Sequence, residues 1–215
     1  MPSYDIIIHI LMEKINRNFI RAAERKLVLE LLLKLKIHSP ETYTHSLDVA
    51  NKSIALASAF QIKCDELNTL YTASLLHDIG KLYIDRSLLH KKNATESECE
   101  TIKLCHIIGT KAILGEYFDA DFVKLASHHH ERLNSTGYPE HLGGRKLNIL
   151  DRILQVADVT SALELARSYK EAYNAEKVIS ILDALAHRGE LDYLCVEEMK
   201  KIILTQQQKQ PQCGS

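Results

Sequence analysis

No two of the five cysteines (Cys64, Cys99, Cys105, Cys195 and Cys213) stand in a Cys-x-x-Cys pair. Their odd number and scatter exclude both a disulfide framework and a thiolate zinc site, and a reducing compartment is expected. No sign of charge prevails: 27 Lys and Arg face 28 Asp and Glu, a net charge of −1. No overall field therefore draws the chain to nucleic acid or anionic lipid, DNA is not an expected partner, and any anion site must be local. Long apolar runs are also lacking. The stretch from Met1 to Phe19 is interrupted by Asp5, His9 and Glu13, so it reads as neither signal peptide nor membrane span, and a cytoplasmic location is expected. Proline and glycine are scarce, at 4 and 8 residues. They fall mainly between stretches whose apolar residues recur at three and four positions, so no sheet is expected.

What remains is the pattern of an all-α helical bundle. A segment from Asp5 to Ile37 carries Ile8, Ile15, Phe19, Ala22, Leu31 and Leu35 on one stripe and stops at Ser39-Pro40. It reads as one long helix, an N-terminal appendage over 1–38. A main domain over 39–204 follows, with helices expected near 42–60, 65–78, 95–104, 106–116, 119–131, 148–166, 175–188 and 195–204. Irregular segments are expected over 79–94 and 132–147, and a disordered polar tail over 205–215.

Histidine is abundant, with 11 residues, and several sit in short polar signatures within apolar surroundings. The first signature is Leu75-Leu76-His77-Asp78-Ile79-Gly80-Lys81. Burying an imidazole and a carboxylate together is costly unless something compensates, and a metal ion does so by taking both as ligands. A plain helix C-terminus with Gly80 as its cap is the alternative. The second signature is Ser127-His128-His129-His130-Glu131-Arg132, followed by Gly137-Tyr138-Pro139; its alternative is a solvated histidine cluster. His45, His106 and Asp158 are isolated and individually weak signals. Together, the order His45, His77-Asp78, His106, His129-His130, Asp158 supplies seven N and O donors for a binuclear site inside a bundle.

These residues resemble the HD-GYP branch of the HD superfamily. The match runs from about Glu41 to Leu204 through LLHDIGK, His106 with Gly109, HHER…GYP, Arg152 to Val159, and Arg167-Ser168-Tyr169-Lys170. The resemblance implies a helical bundle around two transition-metal ions, iron or manganese, that hydrolyses cyclic di-GMP to pGpG and onward to GMP through a metal-bridging hydroxide. Its implied metal ligands are His45, His77, Asp78, His106, His129, His130 and Asp158, with Asp78 bridging. Lys81, Arg167 and Lys170 match positions that hold substrate phosphate, and Tyr138 belongs to the loop that names the family. Glu41, one turn before His45, matches a position used by some members for a third ion, or is simply a favourable acid in a first helical turn.

The chain departs from the family pattern in four places. Ser161 stands where an Asp is usual, which weakens the case for a third ion; Asn134 and Ser135 replace Asp-Gly, and Ser168 replaces Pro. His128 matches no family role. Two alternatives to a cyclic di-GMP enzyme stay open: an HD phosphohydrolase acting on another nucleotide, and a catalytically weak interaction module. Expected partners are the cyclic dinucleotide, a second copy through the N-terminal helix, and signalling proteins at the GYP loop.

Overall fold

Ser39 sets the frame of the bundle, because its extended backbone ends one helix and its hydroxyl caps the next. Helix α1 (Arg25–His38) stops there; α2 (Pro40–Ala57) starts there, with Pro40 in its first turn and the Ser39 side chain accepting from Thr42 N. In the computed structural model, which describes residues 15–166 and 172–209, the remaining helices follow in order. They are α3 (Cys64–Leu76), α4 (Arg86–Leu89), α5 (Glu96–Gly115), α6 (Ala120–Ser127), α7 (Ile149–Glu164), α8 (Ala175–His187) and α9 (Tyr193–Lys209), with 3₁₀ turns at Arg17–Phe19 and Ile79–Tyr83. The described residues hold no strand, only an isolated bridge between Asn134 and Gly143, so the fold is all-α. No helix among them is long and apolar enough to cross a membrane.

The core forms where α2 packs against both α3 and α7. Val49, Ala50 and Leu56 of α2, Leu70, Leu75 and Leu76 of α3, and Ile153, Leu154 and Val156 of α7 are buried there. The 3₁₀ turn at Ile79–Tyr83 is pressed onto α5 by a contact that only glycine permits. A Cβ on Gly80 would collide with the His106 carbonyl oxygen, and one on Gly109 would lie 2.8 Å from the Gly80 carbonyl oxygen. Backbone thus meets backbone between the residues that follow Asp78 and those that follow His106.

The structure differs from the sequence expectation at four boundaries. The helix expected over 5–37 begins, within the described residues, only at Arg25, after a 3₁₀ turn that Asn16 caps. It is no appendage over its described length: Val28, Leu31, Leu32 and Leu35 are buried, and α1 packs on α2, α3 and the Ile79–Tyr83 turn. Its leucines cover more than one stripe, which is why it enters the core. The helices expected over 95–104 and 106–116 are one, α5, since Gly109 serves close packing rather than a break. The helix expected over 119–131 ends at Ser127, where His128 leaves the helical conformation. At the C-terminus α9 continues to Lys209, through glutamines that are good helix formers, so the polar tail is helical over its described part.

Candidate metal centre

The two paired signatures are built alike. α3 ends at Leu76, and the His77 ring folds back so that Nδ1 lies 2.7 Å from the Ser74 carbonyl oxygen. α6 ends at Ser127, and His129 Nδ1 lies 2.7 Å from the Ala126 carbonyl oxygen. A carbonyl only accepts, so both rings carry their proton on Nδ1 and present a bare Nε2. Both Nε2 atoms are buried and have no hydrogen-bond partner. Buried acceptors left open at a cost are the expected signature of metal ligands.

Around them the fold gathers the isolated residues. His45 on α2 places Nε2 2.9 Å from Asp158 Oδ1 and 3.9 Å from Asp78 Oδ2. His77 Nε2 lies 3.5 Å from Asp78 Oδ2 and 3.7 Å from Asp158 Oδ1. His106 Nε2 on α5 is 3.0 Å from the other Asp78 oxygen, Oδ1. The His129 ring is 4.7 Å from His77, 5.2 Å from His106 and 4.0 Å from His130. Donor atoms of His45, His77 and Asp78 fall within 4.8 Å of one another, as do those of His106, His129 and His130. Asp158 closes the first group. Asp78 turns one oxygen to each, the arrangement that a carboxylate shared by two ions requires.

The electrostatics suit the same purpose. Burial works to raise the Asp78 carboxyl, but Lys81, His77 and His106 overcome it and hold it well below the usual carboxylate range. Burial likewise opposes Asp158, and His45, His77 and His129 hold it well below that range. Burial pushes His129 well below the ordinary imidazole value and His130 down to about 3, while His45 is lowered by burial against the pull of Asp158. Ionised carboxylates beside neutral imidazoles are the protonation states that metal binding demands. The donor set, N and O without thiolate, fits a divalent transition metal.

A cavity of about 400 Å³ opens beside the cluster, lined by His45, Asp78, His106 and His130 and also by Lys91, Lys92 and Lys103. Lys81 Nζ lies 2.6 Å from Asp78 Oδ2 and also faces this cavity. Tyr138 stacks on the His130 ring at 4.7 Å and contributes to the wall. Glu41 lines the wall with Oε2 3.8 Å from His90 Nδ1 and belongs to neither donor group. Arg167, Ser168 and Lys170 lie outside the described residues. His128 is buried but turned away from the cluster, with Nδ1 3.7 Å from Asp151 Oδ1.

Sequence reasoning missed Glu131. Its fully buried carboxylate accepts from Glu140 N at 2.6 Å and from Leu142 N at 2.8 Å, tying the Gly137-Tyr138-Pro139 loop to the residues that follow His130. A charged residue beside three histidines on the way into a loop was the available signal. Glu131→Ala strands two amide N–H groups, and we expect a stability loss of about 3 kcal/mol in urea denaturation. Glu131→Gln, with one acceptor oxygen, loses about half as much. In the same loop Ser135 keeps the left-handed backbone (φ 65°) that a glycine enters at lower cost, and Asn134 Oδ1 accepts from Thr136 N at 3.1 Å. The turn survives the loss of its glycine.

A family model described as HD domain matches residues 27–193, α1 included. Among curated relatives, 3'3'-cGAMP-specific phosphodiesterase 1 of Vibrio cholerae is 35% identical over 153 residues, 70% of this chain and 35% of its own length. The cyclic di-GMP phosphodiesterase response regulator RpfG of Xanthomonas campestris is 37% identical over 139 residues, 63% of this chain and 36% of its own. The chain thus spans about a third of the length of these relatives. Among solved structures, the HD domain of L. monocytogenes phosphodiesterase PgpH in complex with cyclic-di-AMP aligns with a TM-score of 0.63 at 18% identity. The alignment covers 86% of this chain and 99% of that one, and the likeness is one of fold.

Proposed function

The chain belongs to the HD domain family, and on that premise we propose that it is a metal-dependent phosphodiesterase hydrolysing cyclic di-GMP to pGpG and onward to GMP. The observation that carries this is the pair of orphaned imidazole nitrogens, His77 Nε2 and His129 Nε2, within a closed set of His and Asp donors. His45, His77, Asp158 and Asp78 would hold one ion, and His106, His129, His130 and Asp78 the other, with iron or manganese as the metal. Such ions activate water at neutral pH and draw charge from a phosphoryl oxygen.

The chain's own residues do the rest. Lys81 keeps Asp78 ionised and stands at the cavity wall, where its ammonium can face a substrate phosphate. Burial, with Asp78 and Asp158 nearby, raises the Tyr138 phenol, so it stays protonated and can donate a hydrogen bond. Lys91, Lys92 and Lys103 line the same cavity, Lys91 and Lys103 paired with Glu98 and Glu100, and their ammonium groups can turn to an anionic substrate. Arg167 and Lys170 would complete the phosphate contacts, and Glu41 would supply an oxygen ligand to a third ion. A homodimer through the N-terminal segment, signalling partners at the GYP loop and a cytoplasmic location are parts of the same proposal.

A second substrate, 3'3'-cGAMP, is favoured by the relatives whose names specify it. The deciding experiment is metal analysis of anaerobically purified protein with product analysis on cyclic di-GMP, 3'3'-cGAMP and pGpG. Turnover of pGpG alone points to a different nucleotide phosphohydrolase; a metal-loaded protein inert toward all three points to an interaction module. Arg167→Ala is expected to lower kcat/KM for cyclic di-GMP ten- to a hundredfold, the loss of a charge-assisted contact of about 1.5–3 kcal/mol, at unchanged metal content. Wild-type kinetics would return Arg167 to the solvated surface.

A further inference from the structure

We propose that Ser161 is a positioning residue that holds His45 in its metal-binding tautomer and thereby sets the affinity of the ion on the His45 side of the pair. The inference rests on the two-ion reading above. Its basis is a difference in how the imidazoles are held. His77 and His129 each face a main-chain carbonyl through Nδ1, which fixes the tautomer. At His45 Nδ1 a side-chain hydroxyl takes the place of such a carbonyl. That nitrogen lies 2.9 Å from Ser161 Oγ, and its Nε2 lies 2.9 Å from Asp158 Oδ1.

Asp158 and Ser161 are three residues apart on α7, so one helix face grips the ring at both nitrogens. The two grips pull against each other. With the proton on Nε2, the ring donates to Asp158 and offers no lone pair to an ion. With the proton on Nδ1, it donates to Ser161, and Nε2 is open for coordination. Ser161 therefore competes with Asp158 for the ring's single proton, and its hydroxyl is fully buried, with no solvent to replace it.

The residue type also matters. A hydroxyl accepts more weakly than a carboxylate, so Ser161 holds the binding tautomer less firmly than a carboxylate at this place would, and a carboxylate would also raise the ring's basicity. Ser161 thus reads as an outer partner of the ligand His45 rather than as a ligand itself, and it acts on one ion only, because His106, His129 and His130 lie on the far side of Asp78.

The test is titration of metal-free protein with Mn²⁺, followed by calorimetry and by the spectrum of free Mn²⁺, for wild type, Ser161→Ala and Ser161→Asp. We expect two binding steps in the wild type. Ser161→Ala should weaken one step about 10- to 100-fold and leave the other within about threefold; Ser161→Asp should tighten that same step. The ¹⁵N shifts of His45 in the metal-free protein give a readout that a merely structural hydrogen bond would not move: a population with Nδ1–H in the wild type, and in Ser161→Ala a shift toward Nε2–H facing Asp158. Unchanged affinities, or equal weakening of both steps with a lower melting temperature of the metal-free protein, would overturn the inference. If Ser161→Ala does not fold, Ser161→Asp decides alone: a tighter step with still two ions bound supports the proposal, and a third bound ion or any other result counts against it. A wild type that binds no Mn²⁺ would sink the two-ion reading itself, which a two-step wild type with indifferent variants would not.

Discussion

Asp78→Ala is expected to bring hydrolysis of cyclic di-GMP below detection and bound metal below one ion per chain. The reason lies in the divided carboxylate: Oδ1 stands 3.0 Å from His106 Nε2, while Oδ2 stands 3.5 Å from His77 Nε2 and 2.6 Å from Lys81 Nζ. One carboxylate thus faces both donor groups. Its loss removes a ligand from each prospective ion and the partner that neutralises Lys81 in a buried site, where an unpaired charge is costly. Losing one outer contact weakens metal binding by about 10- to 100-fold, and a shared ligand counts for more. Asp78→Asn preserves shape, so a folded Asn variant that is also metal-depleted separates coordination from folding. Normal metal content and turnover in either variant would remove Asp78 from the centre.

The second large effect is acid lability of the metal-free protein. His45, His129 and His130 have folded values below the ordinary 6.5, with His130 near 3. Below pH 6.5 the unfolded chain takes up protons that the folded chain refuses, so stability is full above that pH and falls as pH drops toward the folded values. His130, with its folded value near 3, costs about 1.4 kcal/mol per pH unit in that window and alone removes on the order of 2 kcal/mol by pH 5. Asp78 and Asp158 are lowered well below 3.8; their contribution has the same sign and is lost at still lower pH. Urea denaturation midpoints at pH 7.5, 6 and 5 measure this, and a flat profile would contradict it. Bound metal should delay the fall, since ions compete with protons for the same nitrogens.

How much of this could be read from the sequence depended on whether the signal was local. The α5 start was expected at residue 95 and α7 near 148, and both begin where a capping box stands, Thr95 with Glu98 and Asn148 with Asp151. The α1 start was missed by some twenty residues, because Glu24 at its N-cap makes no side-chain cap and nothing in the local pattern marks it. The seven His and Asp residues named from the sequence do meet in one place: four stand in the two short motifs, and the isolated His45, His106 and Asp158 join them from three other helices. Their partners were not legible. The bond between His45 and Ser161 spans 116 residues, and the tie from Glu131 to Leu142 lies in a loop without periodicity. Such pairings follow from how helices dock, which residue spacing along one helix does not encode.

The bare contact between Gly80 and Gly109 works as a fixed spacer. It sets the separation of Asp78 from His106 chiefly by peptide planes, with the Thr110 hydroxyl accepting from Gly80 N beside them. The segment joining these two points carries His90, Lys91 and Lys92 on the cavity wall, and it is anchored away from the spacer, at Ile84 by His38 and at His90 by Glu41. Its length and charge can drift across generations while the spacing of the donors stays constant. The part of the polypeptide that performs chemistry is thereby insulated from the part that chooses what enters, and new preferences can be acquired through the second without retuning the first.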